Sequence, residues 1–91
     1  MFDTDKVQEL HDQVIALFRD AKLTVGEILV AYGNVGRTLG GAIEGYTSIP
    51  DVEDLEKEYY RKSTPGLALC LQGNEVISWY AKLEEAQNKN S

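Results

Sequence analysis

Cysteine, histidine, methionine and tryptophan each occur once in this chain, and proline twice. A single cysteine excludes an intrachain disulfide and any metal site built on thiolates. Leu69 and Leu71 flank Cys70, so the thiol reads as a small core residue. The lone histidine, His11, sits beside the apolar residues Leu10 and Val14. A general base needs an oriented partner, and nothing near His11 supplies an obvious nucleophile with a third group behind it. No enzyme, no cofactor and no metal site is expected.

Positive charge is also scarce. The formal net charge is −6, so the chain gains nothing from the counterion release that drives nucleic-acid binding, and no direct nucleic-acid contact is expected. Long apolar runs are absent too. Ile28 to Ile43 comes nearest to a membrane span, but it contains Asn34 and Arg37, and an arginine at a bilayer centre costs about 3 kcal/mol. Met1 to Lys6 lacks the basic stretch and apolar run of a secretory leader. The expectation is a cytoplasmic protein without membrane contact, forming one helical domain over residues 1–91 that frays from about Gln87.

What the chain does have is helical periodicity. Val7, Leu10, Val14, Leu17, Phe18 and Ala21 form one stripe over Thr4–Ala21, with Asp3 or Thr4 as cap. Thr24 followed by Glu27 is a capping box. It opens a second helix, expected to run to Glu44 and stop at Gly45. The short join at Asp20–Leu23 predicts an antiparallel hairpin between these two helices. Ser48 or Pro50 begins a third helix over Asp51–Lys62. Leu67–Leu71 is too short for periodicity to separate helix from strand. Gly73-Asn74 then reads as a break, with a last helix over Asn74–Ala86. The fold class is therefore all-α, a small bundle of about four helices built around a long glycine-rich second helix.

That second helix carries a conflict. Six of the eight glycines fall between Gly26 and Gly45. Each interior glycine costs about 1 kcal/mol relative to alanine. Val25, Ile28, Tyr32, Val35, Leu39 and Ala42 recur at alternating three- and four-residue steps. Gly26, Leu29, Gly33, Gly36, Gly40 and Ile43 repeat the rhythm one position on. Close approach of another backbone or of a ligand would offset the glycine cost. Gly33, Asn34, Gly36, Arg37, Thr38 and Gly40 are the candidate ligand or helix-contact residues. Their order has the look of a phosphate loop, but Ala31 replaces its first glycine and Arg37 its lysine, and the helical stripes argue against a nucleotide hydrolase. An interruption of the helix there would free N–H groups for a small anionic, nucleotide-like ligand.

Only Glu27, Arg37 and Glu44 are charged between Leu23 and Ile49, and this leaves two adjacent uncharged stripes on one helix. A homo-oligomer follows, with a dimer first because two-fold closure is commonest, and with Gly33, Gly36 and Gly40 at or near the contact. Asp51, Glu53 and Asp54, with Tyr59 and Tyr60, form a second candidate surface, suited to a protein partner with a basic face. An acidic mimic of DNA ranks below these. The leading expectation is a non-enzymatic binding protein acting as a homo-oligomer, a description that fits small accessory proteins of phage or bacteria.

Overall fold

A computed structural model describes Phe2 to Lys89. Those residues form four helices and no strand: α1 (Thr4–Ala21), α2 (Val25–Glu44), α3 (Val52–Lys62) and α4 (Pro65–Lys89).

Local chemistry sets most boundaries. Asp3 caps α1, its carboxylate accepting from the Lys6 N–H at 3.1 Å. At the start of α2 the Thr24 hydroxyl accepts from the Glu27 N–H at 3.2 Å, and the Glu27 carboxylate accepts from the Thr24 N–H at 2.9 Å. This reciprocal box satisfies two amides that the first turn leaves unpaired. Gly45 ends α2 at φ 83°, a conformation that glycine adopts without steric penalty. Asp51, rather than Ser48, caps α3 by accepting from the Asp54 N–H at 2.9 Å. Pro65 opens α4, where its missing N–H is no loss.

Two sequence expectations are corrected. The chain does not break at Gly73-Asn74; α4 is continuous from Pro65 to Lys89, and Asn74 is buried within it rather than acting as a cap. Leu67–Leu71 is therefore helical. α4 extends to Lys89, and Asn90 and Ser91 lie outside the described residues.

The second correction concerns pairing. The antiparallel partner of α2 is α4, not α1. The two helices meet through small residues at seven-residue steps. Gly26 faces the Tyr80 ring, Gly33 faces Gly73, and Gly40 faces Gly66 and Cys70. A Cβ on Gly33 would stand 2.8 Å from the Gly73 carbonyl oxygen, and one on Gly66 would stand 2.9 Å from that of Gly40. Such separations are far inside ordinary contact, so the backbones touch directly. At this range glycine Cα–H groups can point at carbonyls of the opposite helix, a weak but recurring attraction at helix interfaces. Burial of the seam on both sides offsets the propensity penalty of its glycines.

α3 packs over α4. Leu55, Leu67 and Cys70 are fully buried there, with Tyr46, Tyr59 and Leu71 closing around them. α1 stands apart. None of its residues is buried, and Lys22, in the left-handed region at φ 54°, ends it. The molecule is consequently open, measuring 48 × 35 × 20 Å with a radius of gyration of 15.3 Å. A compact chain of this length would have about 12 Å.

Candidate functional site

The candidate residues of α2 divide between two directions. Gly33 and Gly40 are buried and Gly36 is half-buried, all facing α4 of the same chain. α4 of the same chain fills the space in front of these glycines, so the helix they contact belongs to their own chain. Arg37 also turns towards α4. Its Cγ lies over Gly73, its carbonyl accepts from the Cys70 Sγ–H at 3.5 Å, and its Nε is buried without a hydrogen-bond partner. Asn34 and Thr38 are exposed. The six residues do not converge on one cavity. Since α2 is unbroken from Val25 to Glu44, the N–H groups of Gly36 to Gly40 serve the helix and are not offered to an anion.

Cys70 lies at the centre of the α2–α4 contact. Burial pushes its thiol up, the Glu44 carboxylate adds to this, and Arg37 opposes it. The thiolate needed for nucleophilic chemistry is therefore disfavoured. His11 is exposed on α1, with its Nδ1 3.1 Å from an Asp12 carboxylate oxygen and 3.4 Å from the Gln8 amide. Among the described residues no group of three His, Cys, Asp or Glu is arranged to hold a metal ion.

On α3 the charges largely answer one another. Asp51 is spent on the cap, Glu53 pairs with Lys57 at 3.3 Å, and Glu58 pairs with Arg61 and with Lys62. Arg61 foremost holds the Glu58 carboxyl below its usual range. Asp54 remains outward. Tyr59 leans into the core while Tyr60 is 85% exposed, the two rings meeting edge to face at 6.0 Å. Between α3 and α4 lies an open cleft of about 540 Å³ lined by Val52, Glu56, Asn74, Glu75 and Trp79, with Lys82 at its edge. Its carboxylates outnumber its one cation, which does not suit an anionic ligand.

The largest unanswered feature is apolar. Of the sixteen exposed large hydrophobic residues described, ten belong to α1 and α2. On α1 they include Val7, Leu10, Val14 and Leu17; on α2, Val25, Tyr32, Val35, Leu39 and Ile43. The two rows meet at a groove of about 530 Å³ lined by Leu17, Phe18, Ala21, Leu23, Tyr32 and Val35, with Val14 at its edge and no charged residue. Tyr32 is 61% exposed because it belongs to the bulky row and not to the glycine row. No helix among the described residues is long and apolar enough to cross a membrane.

Comparison with protein-family models, with curated proteins and with solved structures gave no match.

Proposed function

We propose that the protein is a non-enzymatic binding protein that works as a homo-oligomer. The observation that carries this reading is an excess of surface. The chain exposes 7114 Å², whereas a compact monomer of 10.1 kDa would expose about 5,300 Å². The excess is roughly 1,800 Å², and most of the exposed large apolar residues lie on α1 and α2. Exposed large apolar residues gathered on two helices mark a contact surface. A cytoplasmic setting suits a chain with a single, unpaired cysteine. Small accessory proteins that act by occupying a partner answer this description.

A second reading has its own observation. Tyr60 stands almost fully exposed on α3, a helix on which Asp54 is also exposed, and an outward aromatic on an acidic helix suits a protein partner with a basic surface. The internal pairing of Glu53 and Glu58 weakens the field such a partner would meet, and weakens still further the reading as a DNA mimic.

The test of the leading reading is the mass of the parent protein in solution. Size exclusion with light scattering should give about twice the chain mass or a higher multiple at micromolar concentration. A particle that stays at the chain mass up to about 200 μM, a concentration at which even weak dimers form, would remove the reading.

A further inference from the structure

We propose that the α1 helix of a second copy lies in the groove between α1 and α2, and that the first copy's α1 lies in the second's, so that two α1–α2 arms close a four-helix bundle about a two-fold axis. The inference rests on the homo-oligomer reading and says where and how the copies meet.

The groove selects its occupant. Its lining is apolar apart from the Tyr32 hydroxyl, so a charged or polar segment would leave its own groups unsatisfied there. The occupant must bring an apolar stripe of matching pitch. α1 carries one: Val7, Leu10, Val14, Leu17 and Ala21 step by three and four residues, the spacing of a knobs-into-holes seam. The exposed row of α2 keeps the same period through Val25, Tyr32, Val35 and Leu39, at steps of seven, three and four. Within one chain α1 cannot fill the groove, because it forms one of the walls. A second copy's α1 can.

Symmetry and area agree. A helix that is both wall and occupant makes a self-complementary contact, which a two-fold axis closes without leaving a free end. If each chain covers most of its excess of roughly 1,800 Å², the pair buries up to about 3,600 Å², within the range of obligate homodimers. The charges of α1, among them Glu9, Asp12 and Arg19, lie off the stripe, so closure keeps them in water.

Two measurements test the arrangement. In the first, light scattering compares the parent with Leu10→Asp and Leu17→Asp, both at positions exposed in the single chain, and with Trp79→Asp on the far cleft. The two α1 variants should fall to the chain mass, with dissociation constants raised about 100-fold or more by a charge placed in an apolar contact. Trp79→Asp should leave the mass unchanged. In the second, a nitroxide on Asp20→Cys, attached while Cys70 is shielded by burial, is mixed with isotope-labelled parent. Broadening between chains should fall on α1 and on Tyr32 to Val35. Persistent oligomers of both α1 variants, or broadening confined to α3 and α4, would overturn the placement while leaving self-association intact. A monomeric parent would overturn both.

Discussion

Gly33 and Gly73 oppose each other across the α2–α4 contact with no side chain between them. A Cβ added to Gly73 would run into the Gly33 carbonyl oxygen and come within 2.8 Å of the Arg37 amide nitrogen. The same geometry recurs one heptad away at Gly40 and Gly66. The glycines that burden α2 by propensity are thus the residues that let α4 lie against it.

Neighbouring glycines should therefore respond in opposite ways to alanine. A Cβ at Gly40 meets the Gly66 carbonyl, and meets Cys70 Sγ at 2.6 Å, while one at Gly41 finds only the Tyr46 Cβ at 3.9 Å. Gly40→Ala should lower stability by about 3 kcal/mol, the upper end of ordinary overpacking. Gly41→Ala should raise it by about 1 kcal/mol through helix propensity. Thermal or urea unfolding, followed by the helical circular dichroism signal, measures both.

Cys70 should be silent in the native protein. With no exposed surface and a thiol pushed up by burial, it should react with a thiol reagent at neutral pH only as fast as the chain opens. Addition of denaturant should release one thiol per chain at the rate of a free cysteine. Rapid native labelling would show that α2 and α4 separate readily.

The capping box should make the start of α2 acid-sensitive. The backbone N–H of Thr24, and then its hydroxyl, hold the Glu27 carboxyl below the usual range. Hydrogen bonds from His11 and Gln8 do the same for Asp12, and Arg61 does so for Glu58. A carboxyl depressed in the folded state contributes stability that is fully present above its unfolded pKa and is lost as pH falls through the folded value. The melting temperature should hold above about pH 5 and decline below about pH 4. Glu27→Gln keeps a reciprocal acceptor without the titration, and should blunt part of that decline. Thr24→Ala should remove about 1 kcal/mol at any pH, as cap losses typically do.

Amide exchange should separate α1 from the rest. In dilute solution α1, with no buried residue, should exchange fastest, while the α2–α4 seam should approach the global limit. If α1 is covered by a second copy, its protection should grow with protein concentration. Protection of α1 that is independent of concentration would indicate cover from within the chain.

The parts legible in the sequence are those decided by near neighbours. Thr24 with Glu27, Gly45 after Glu44, and the periodic rows of α1 and α2 act over a few residues, and the helices they delimit are present. Gly73-Asn74 misled because a glycine followed by a capping residue ordinarily ends a helix, and local preference carries no information about Gly33 lying opposite. The α1–α2 hairpin failed for a related reason. A short join favours neighbours in sequence, but only α4, with Gly66 and Gly73 one heptad apart, matches the glycine row of α2. As a result, the residues expected at an intermolecular contact, Gly33 to Gly40, are occupied within the chain, and the bulky row beside them is left outward.

The seven-residue ladder does not by itself choose one alignment. α2 has three rungs, Gly26, Gly33 and Gly40, and α4 has two, Gly66 and Gly73. Sliding α4 by one heptad, about 10 Å, would again set glycine against glycine, Gly73 on Gly26 and Gly66 on Gly33. What such a slip cannot preserve is the cluster at the other end, where Leu55 of α3 closes on Leu67 and Cys70 beside Tyr46, and the Tyr80 ring seated on Gly26. The shortest helix, α3, packs on α4 outside the seam, yet its contacts, with the Tyr80 ring on Gly26, favour the observed vernier position over the slipped one.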